Sequence, residues 1–568
     1  MGKFIKTQNS FANGEISPEF LGRGDNGFAA SGLARLCNMD IADSGAIRPR
    51  RGLRRLHGVA ENSVLVPYCA DDSSNFILAL SDGHVDIFSP DGEFYQNLQT
   101  PWNDAETPSV QYTQRFGTMI FTHENHPPMV LKKLPDESFD IAQFYFSVND
   151  DMSRNIPFMR FDDSLNIKLT FAQNGAGTNY ATITASGNFW TAGNVNGNLT
   201  ALGKQWIISS YISPTQIVAY TNGGWTTPGT QTSDWSESAF SARRGYPRCA
   251  TFHQNRLVFG GSREWDAGIW MSKVGDHYNF NAGTGLDDEA IFMTLLASKR
   301  QRICTAVSCD NLQILTTAGV WAISSKPLTP STIDIKQHAT IGTFGEKYLE
   351  PQSIENCTVF IAGTGDELRE LVLDDLQQNY NARDLCAAAR HLMNGPVDIS
   401  FNGAARKLFV AMADGTMAVL NKNSEMGISG WARYETDGQF RSVVTLGNET
   451  FAIVRRGDDF WLEKFSDDPD EPPFQYSASG LPMLGGGHMP EKVRINKISA
   501  VLHESDYLKF TVCESESEHT FTEPFSGAVS AVFLGTNRAA TSSPWEISGT
   551  SGMRATILSI KMEGQYLI

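Results

Sequence analysis

The stretch Phe76-Ile-Leu-Ala-Leu-Ser-Asp-Gly-His-Val-Asp-Ile-Phe88 contains two apolar runs that are separated by a short polar corner. Asp82-Gly83 at that corner is a strong signal for a two-residue turn between antiparallel strands. Leu408-Phe-Val-Ala-Met-Ala-Asp-Gly-Thr-Met-Ala-Val-Leu420 repeats the pattern, with Asp414-Gly415 at its corner. Both stretches predict β-hairpins. Helical periodicity is scarce elsewhere, so we expect a mainly β chain.

Looser copies of the same hairpin pattern bring the total to seven between Val64 and Phe465. The five further copies are Thr118 to Leu131, Arg256 to Ser272, Leu312 to Ile323, Thr358 to Leu373 and Phe451 to Phe465. When a compositionally different block is set aside, the hairpins share about 300 residues, or about 42 each, as expected for four-stranded propeller blades. An array of β-sandwiches also fits short strands at this spacing. We favour a β-propeller of six to eight blades, because closing the sheet array protects its edges.

Shifts in composition divide the chain into five predicted parts. These are an N-terminal arm or platform segment at 1–60, a first part of the propeller at 61–135, an inserted β-rich domain at 136–244, a second part of the propeller at 245–466 and a separate, β-sandwich-like C-terminal platform domain at 467–568. Two helices are also expected, over Asn381 to Met393 and around Ala29 to Cys37.

Within the inserted block, the stretch from Ser164 to Phe240 has only four charged residues and many tryptophans. Its tryptophans are Trp190, Trp206, Trp225 and Trp235, four of the eleven in the chain. A charge-depleted surface that carries aromatic residues is typical of a protein contact, so we predict that these four side chains contact another protein chain. They also fit a platform for stacking glycans, or the core of the inserted domain itself.

The composition favours a protein that neither coats nucleic acid nor crosses a membrane. The 63 Asp and Glu residues outnumber the 46 Lys and Arg residues, for a net charge of −17. An acidic surface does not attract phosphates, although it suits a conduit through which DNA passes. No apolar run reaches membrane-spanning length. The eight cysteines are scattered without a C-x-x-C pair, which predicts reduced, mostly buried side chains.

No catalytic, cofactor-binding or metal site is predicted from the sequence. His123 and His126 have the spacing of a metal pair on a helix, but Pro127-Pro128 excludes that helix, so we interpret the pair as part of a hairpin turn. The acidic run Asp287-Asp288-Glu289 is typical of a solvated turn. No phosphate-binding glycine loop and no nucleophile elbow occurs. We therefore expect a protein that is not an enzyme.

Four different sequence motifs follow one another along the chain. The first is Phe11-Ala-Asn-Gly-Glu-Ile-Ser-Pro-Glu-Phe-Leu-Gly-Arg-Gly-Asp25, which is followed by Asn38, Gly45 and Arg48-Pro-Arg-Arg-Gly52. The others are Phe252-His-Gln-Asn-Arg-Leu-Val-Phe-Gly-Gly-Ser262 with Ile269-Trp-Met-Ser272, then Leu312 to Ser324 with Leu328-Thr-Pro330, and Tyr380-Asn-Ala-Arg-Asp-Leu385 with His391-Leu392, Asp414-Gly415 and Gly430-Trp431.

This order of motifs resembles the tail nozzle, or tail hub, proteins of short-tailed bacteriophages. The resemblance covers residues 11 to about 466. Cys386 stands where the family pattern has Thr, and Arg50-Arg51 stands where Pro-Gly is usual. The resemblance implies a structural virion protein in the tail that is assembled in the host bacterial cytoplasm.

The same resemblance implies the partners. Such a protein forms a homo-oligomeric ring, expected to be a hexamer, below the portal and the head-to-tail adaptor. It closes the DNA channel in the packaged virion, conducts double-stranded DNA on ejection without reading its sequence, and anchors tail fibres or spikes. The resemblance implies that the contact predicted for Trp190, Trp206, Trp225 and Trp235 is with a fibre or a neighbouring subunit. No cofactor is implied.

The N-terminal segment is punctuated by glycine and proline and has too few apolar residues for a core of its own, so we expect an extended arm that lies on something else. The predicted adaptor-docking residues are Phe11, Glu15, Pro18, Leu21, Arg23, Arg48, Arg50 and Arg51. The arginines also fit local pairing with acidic residues of the same chain. An alternative function is a glycan-binding propeller or a peripheral receptor-binding tail protein.

Overall fold

The computed structural model describes residues 2–22, 27–70, 75–175, 179–297, 299–374, 379–467, 472–483, 492–512, 515–538 and 543–566, with only the backbone at 21–22 and 534–538. The described residues form 46 strands, one short α-helix and five 3₁₀ helices. The chain divides into two compact units. The first contains Met1–Tyr68, Asn75–Asn97 and Leu349–Ile568, and the second contains Cys69–Ser74 and Leu98–Tyr348.

Seven sets of four antiparallel strands, here called blades 1 to 7 in chain order, identify a β-propeller. Among the described residues, six of these sets are separate four-stranded sheets, and blade 6 is one end of a larger sheet. The strands of blade 1 are Val64–Cys69, Asn75–Ser81, His84–Phe88 and Phe94–Gln99, and those of blade 2 are Gln111–Arg115, Thr118–His123, His126–Lys133 and Phe139–Gln143. The strands of blade 3 are Cys249–His253, Arg256–Gly260, Gly268–Met271 and Ile291–Thr294, and those of blade 4 are Ile303–Ser308, Leu312–Thr316, Gly319–Ile323 and Ile335–Ala339. The strands of blades 5 to 7 are Gln352–Ile354, Cys357–Ile361, Leu368–Asp374 and Asn379–Asp384; Pro396–Asn402, Lys407–Met412, Met417–Asn423 and Ile428–Tyr434; and Gln439–Leu446, Glu449–Arg456, Asp459–Ser466 and Gly52–Gly58.

Each hairpin that the sequence predicts is the central pair of strands of one blade. In blade 1, for example, Ser81 pairs with His84 across the Asp82-Gly83 turn, and Gly83 has the positive φ of 71° that such a turn requires. The propeller expectation is confirmed, and its range of six to eight blades resolves to seven.

Blade 7 takes its outer strand from the N-terminal part of the chain. Gly52–Gly58 pairs antiparallel with Asp459–Ser466, and Leu53 lies opposite Phe465. Blade 1 begins only a few residues after this strand, at Val64. Apolar side chains of blades 1 and 7, among them Ile77 and Ile453, share one core. The strand Gly52–Gly58 therefore joins the two blades: it is hydrogen-bonded to blade 7, and the chain continues from it into blade 1.

An eight-stranded antiparallel sheet is inserted between blades 2 and 3. Its strands are Phe158–Met159, Leu169–Gln173, Tyr180–Ala185, Asn198–Ala201, Lys204–Ser213, Gln216–Tyr220, Gln231–Thr232 and Trp235–Ser238. Strand Tyr180–Ala185 alternates between buried and half-buried residues, the period that one packed sheet face requires.

The N-terminal and C-terminal strands lie in one large sheet that also contains blade 6. Its other strands are Lys3–Gln8, Gly14–Glu15, Gly32–Cys37, Met39–Ile41, Ile47–Pro49, Gln475–Gly480, Val493–Val512, Ser515–Arg538, Glu546–Thr550 and Thr556–Tyr566. The C-terminal part is therefore not the separate domain that the sequence suggests. It shares a sheet and a core with the segment at 1–60.

Both predicted helices are wrong over most of their length. Asn379–Asp384 is a strand that pairs with Leu368–Asp374, and only Arg390–Leu392 forms a 3₁₀ turn. Phe28–Ser31 is a single α-helical turn, after which Gly32–Cys37 is a strand. In both places pairing with a neighbouring strand overrides local periodicity, because the strand satisfies every backbone group and also buries apolar side chains.

The remaining 3₁₀ helices are Pro18–Gly22, Thr107–Ser109, Asp162–Ser164 and Ala192–Asn194. Within the described part of the chain, no helix has the length and apolar character needed to cross a bilayer. Seven cysteines lie in this part and are free thiols, four of them buried.

Candidate functional site: the N-terminal arm on blade 6

The N-terminal arm, residues 2–22, lies on its own chain. Lys3–Gln8 pairs antiparallel with the C-terminal strand Thr556–Tyr566. Gly14–Glu15 runs parallel to Gly32–Cys37 on one side, and Gly14 pairs with Trp431 of blade 6 on the other. The segment lies on something other than a core of its own, as the sequence predicts, and strands from distant parts of the same chain supply that surface.

Glu15 is the centre of this packing. Its carboxylate accepts hydrogen bonds from His391 Nε2 at 2.9 Å, from Arg433 Nη2 at 3.1 Å and from the backbone N–H of Leu36 at 2.9 Å. Only 3% of its side chain is exposed. One carboxylate thus joins the arm, the strand Gly32–Cys37, the turn after blade 5 and the outer strand of blade 6.

The electrostatic environment keeps Glu15 ionised. Burial by itself raises the pKa of a carboxyl group, since it penalises the charged form. The hydrogen bonds from His391 and Leu36 and the positive charge of Arg433 outweigh that penalty and lower the pKa of Glu15 below its ordinary value. A buried charge with several donors and a cation is held in one geometry, and losing one partner is costly.

Gly14 permits the close approach of the arm to blade 6. Its φ is +59°, and a Cβ atom there would lie 2.6 Å from the backbone N of Trp431 and closer still to its carbonyl oxygen. Two further hydrogen bonds fix the same junction. Ser17 N donates to Ala388 O at 2.7 Å, and Trp431 Nε1 donates to Leu385 O at 2.9 Å.

Asn38 and Arg50 form a second group of polar contacts on the same sheet, in addition to the one around Glu15. Asn38 Oδ1 accepts from Arg50 Nε at 3.0 Å and from Glu435 N at 2.8 Å, while its Nδ2 donates to Gln475 O at 2.7 Å. The Arg50 guanidinium stacks on Phe474 at 3.8 Å from the ring centroid. Together these contacts tie the N-terminal strands to blade 6 and to the C-terminal strands.

Sequence reasoning missed the partners of these residues. His391 was recognised only as a motif position, and Arg433, Asp40 and Lys407 gave no signal of their own. Asp40 is buried and accepts hydrogen bonds from Tyr434 Oη and Lys407 Nζ. Burial and the nearby Asp40 carboxylate raise the pKa of Tyr434 well above its ordinary value.

The predicted docking residues separate into buried and exposed groups. Phe11, Glu15 and Arg50 are buried inside the chain, so the prediction that they contact an adaptor is wrong. Pro18, Arg48 and Arg51 are exposed and stay predictions. Arg51 also pairs with the exposed Asp467 at 2.9 Å, a surface ion pair of little energetic value. Arg23 lies outside the described residues, as does the side chain of Leu21.

The four tryptophans of the inserted sheet are core residues. Trp190, Trp206, Trp225 and Trp235 are each at most 8% exposed and pack in one apolar cluster. Trp206 Nε1 donates to Ala201 O at 3.1 Å, and Trp235 Nε1 donates to Ile167 O at 2.9 Å. The prediction that these side chains contact a fibre or a subunit is wrong, because a small sheet with few charged residues uses its largest apolar side chains for its own core.

A second motif junction lies in the other compact unit. Arg256 is fully buried and donates to the carbonyl oxygens of Ser272 at 2.7 Å and Leu328 at 3.3 Å. Gln254 Oε1 accepts from the backbone N–H of Leu328 at 2.9 Å. The motif that begins at Phe252 is therefore bonded directly to the segments Ile269–Ser272 and Leu328–Pro330 that accompany it in sequence.

The two sequence features that were interpreted as turns are turns. His123 and His126 flank a two-residue hairpin turn in blade 2. Asp287 and Asp288 are exposed, and the Glu289 carboxylate accepts the backbone N–H groups of Thr284, Gly285 and Leu286 at 2.6 to 2.8 Å.

A cleft of about 550 Å³ in the second unit is lined by both acidic and basic residues. Asp163 accepts from Arg243 at 2.7 Å and from Arg244 at 2.8 Å, and Asp266 accepts from Arg300 at 2.8 Å. These carboxylates belong to ion pairs, an arrangement typical of a structural network rather than of a general acid and base.

Comparisons with known proteins add a description of the fold and nothing finer. No protein-family model matches the chain, and no curated protein matches it. Similar solved structures include the Pan2 WD40 domain of Neurospora crassa, at 8% identity and a TM-score of 0.35 over 75% of this chain and 98% of that one. The RRP9 WD40 repeats match at 8% identity and a TM-score of 0.37 over 74% of this chain and 100% of that one. BamB from Moraxella catarrhalis matches at 10% identity and a TM-score of 0.33 over 73% and 98%. TM-scores this low carry no argument, so the propeller assignment rests on the seven blades themselves.

Replacing Glu15 by Gln should lower the free energy of unfolding by about 3 kcal/mol at pH 7, because it removes the charge that Arg433 and His391 share. The folded pKa of Glu15 is lowered, so its contribution is complete above the ordinary value of 4.5 and is lost as the pH falls through the folded pKa. Denaturant unfolding from pH 7 to pH 4 should therefore show a constant deficit down to about pH 5 that shrinks below it. Glu19→Gln, at an exposed position of the same arm, should change little. An equal effect of both variants would contradict the role of Glu15.

Replacing Gly14 by Ala tests the close approach of the arm to blade 6. Gly427, in a hairpin turn of the same blade, has a similar φ of +69° but open space around its missing Cβ. Both substitutions incur backbone strain of about 1–2 kcal/mol. Gly14→Ala should cost about 1–3 kcal/mol more, because its new methyl group overlaps the Trp431 backbone. Equal thermal unfolding midpoints for the two variants would show that the arm does not pack there.

Proposed function

We propose that this chain is a structural protein of the tail of a short-tailed bacteriophage, a nozzle subunit that assembles into a hexameric ring. In this proposal the ring docks below the portal and adaptor, closes the DNA channel of the packaged virion, conducts double-stranded DNA on ejection and anchors tail fibres. The protein acts without a cofactor and is not an enzyme. It is assembled in the host bacterial cytoplasm and resides in the virion tail.

The observation that carries the proposal is the convergence of the motifs. Gly14 of the first motif pairs with Trp431, and Glu15 accepts a hydrogen bond from His391; both partners belong to the last motif. Trp431 in turn donates to Leu385 O of that same motif. Residues some 400 positions apart thus depend on each other sterically and electrostatically. A sequence that matches both motifs by chance has no reason to join them in one junction, so the convergence supports the resemblance to the nozzle family.

Charge and sheet edges support assembly with other copies. The net charge of −17 favours a conduit that does not hold the phosphates of passing DNA. Strand Ser515–Arg538 has 24 residues and pairs only with Val493–Val512 among the described strands. An edge strand of this length is a template for pairing with another chain unless it is protected. We place a subunit contact of the ring at this edge.

The exposed residues among the predicted docking residues, Pro18, Arg48 and Arg51, form the proposed adaptor-docking surface. Guanidinium groups suit acidic partners because their donors match carboxylates bidentately. The glycan-binding alternative loses its main support, since the four tryptophans that would have formed a stacking platform are buried.

The proposal is tested by electron microscopy of the purified full-length chain, alone and mixed with its adaptor ring. We expect end views with sixfold symmetry and a central hole. The double variant Arg48→Glu with Arg51→Glu should still form the ring and unfold at an unchanged temperature, but should lose at least about tenfold in affinity for the adaptor. Arg154→Glu, an exposed arginine of the other unit, is the matched control.

Two outcomes would contradict the proposal. Particles that stay monomeric with the adaptor, or that show threefold symmetry, would identify a peripheral receptor-binding protein. A sixfold ring whose adaptor affinity is unchanged by the double charge reversal would retain the nozzle and move the docking surface elsewhere.

A further inference from the structure

The hairpin of blade 2 places two histidines beside a carboxylate. His123 ends the strand Thr118–His123, His126 begins the strand His126–Lys133, and the two residues are cross-strand partners around the turn Glu124-Asn125. Glu106 approaches from the loop before blade 2, with its Oε2 2.8 Å from His126 Nε2. One potential ligand atom from each of the three residues lies within 4.8 Å of the other two.

We propose that Glu106, His123 and His126 form a binding site for one divalent transition-metal ion of the Zn²⁺ class. Zinc takes imidazole nitrogen and carboxylate oxygen at about 2.0–2.2 Å, which sets its ligands roughly 3.4 Å apart in tetrahedral geometry. Glu106 Oε2 and His126 Nε2 are 2.8 Å apart, and no two ligand atoms of the cluster are more than 4.8 Å apart, so side-chain movements on the order of 1 Å would bring the three ligands to that spacing.

The surroundings hold Glu106 in place for this role. Its Oε1 accepts from Asn125 Nδ2 at 3.3 Å. The loop that carries it is fixed by Asn103 Oδ1, which accepts the backbone N–H groups of Ala105 at 3.0 Å and Glu106 at 3.2 Å. Outer contacts that orient a ligand contribute substantially to metal affinity.

Neighbouring charges leave the three ligands available. Glu124, in the turn itself, is bound by the guanidinium of Arg248 and is directed to blade 3. His123 is buried, whereas 24% of the His126 side chain and 19% of the Glu106 side chain are exposed. The cluster is thus open to solvent on one side, which gives an ion a route in and leaves a fourth position for water, as in zinc sites with three protein ligands.

The ion would cross-link two separate segments of the second compact unit. The loop Asn103–Ser109 precedes the first strand of blade 2. The two histidines flank the turn of the central hairpin of that blade. The same turn is tied to the segment before blade 3, because Tyr246 N donates to Glu124 O at 2.9 Å. A bound metal would therefore stabilise this end of blade 2 against opening.

Sequence reasoning dismissed the two histidines because Pro127-Pro128 excludes a helix. In the hairpin, His123 and His126 lie opposite each other on neighbouring strands, so their side chains are close without a helix. The third ligand, Glu106, lies 17 residues before His123 in sequence. The helical spacing rule does not apply to this arrangement.

The test is a titration of the full-length chain, stripped of metal with a chelator, with Co²⁺ and then Zn²⁺. We expect one Co²⁺ per chain with visible d–d absorption, displacement by Zn²⁺, and a higher thermal unfolding midpoint in the presence of Zn²⁺. His126→Gln and Glu106→Gln, both at partly exposed positions, should each weaken Co²⁺ affinity by at least about 100-fold, more than loss of an outer contact does.

The matched control is His84→Gln in the hairpin turn of blade 1. His84 Nε2 lies 3.7 Å from Asp86 Oδ2, so this is a histidine–carboxylate pair without a second imidazole. The control should bind Co²⁺ like the wild type, and circular dichroism should show that all variants are folded.

Three results would overturn the proposal. These are no Co²⁺ binding at millimolar concentration, binding that survives unchanged in folded His126→Gln, or an intense sulfur-to-cobalt charge-transfer band, which would assign the ion to cysteine thiolates. A thermal shift on adding Zn²⁺ that is equal in wild type and His126→Gln would also count against it.

Discussion

The buried carboxylate of Glu15 is the interaction on which the first compact unit depends. A charge that is 3% exposed must be compensated by donors and cations nearby. Here those partners come from the turn after blade 5, from the outer strand of blade 6 and from the strand Gly32–Cys37. The N-terminal arm cannot leave this surface without exposing the Glu15 charge to solvent or separating it from its hydrogen-bond partners. The glycine next to it, at +59°, allows the backbones to approach closely enough for the hydrogen bonds to form.

Other parts of the N-terminal region also pair with strands from distant parts of the chain. Lys3–Gln8 extends the C-terminal strands, Gly14–Glu15 extends blade 6, and Gly52–Gly58 completes blade 7. A segment that is poor in apolar residues is therefore integrated by strand pairing and polar contacts rather than by a core of its own. Strands of the segment at 1–60 and the C-terminal strands consequently share one sheet.

The sequence predicts the blades well because their information is local. Two apolar runs and an Asp-Gly corner define a hairpin without reference to anything else, and all seven hairpins are present. Long-range pairing is not encoded locally. The stretch from Asn381 has helical spacing, but its neighbour Leu368–Asp374 captures it as a strand. Gly14, Glu15 and Trp431 could be singled out as motif residues, but their pairing and the partner Arg433 could not, since nothing near residue 15 specifies residues 400 positions away.

The errors on the candidate site share one physical cause. An isolated arginine or tryptophan in sequence suggests a contact with another molecule, while the folded chain can satisfy the same side chain internally. Arg50 stacks on Phe474, and the four tryptophans of the inserted sheet form its core. Conversely, the Glu106 cluster escaped notice because its ligands are brought together by a hairpin and a distant loop.

The central claim is that the N-terminal arm is an integral part of the blade 6 sheet, and hydrogen exchange of the full-length chain tests it most directly. The account predicts that the amides of Ile16 and Leu36, which are bonded to Leu33 O and Glu15, exchange as slowly as those of the strand Met417–Asn423. Peptides from the arm that exchange within seconds, while blade 6 remains protected, would show an arm that is free of the sheet. That result would contradict the account and return the arm to the role of a segment that folds only on a partner.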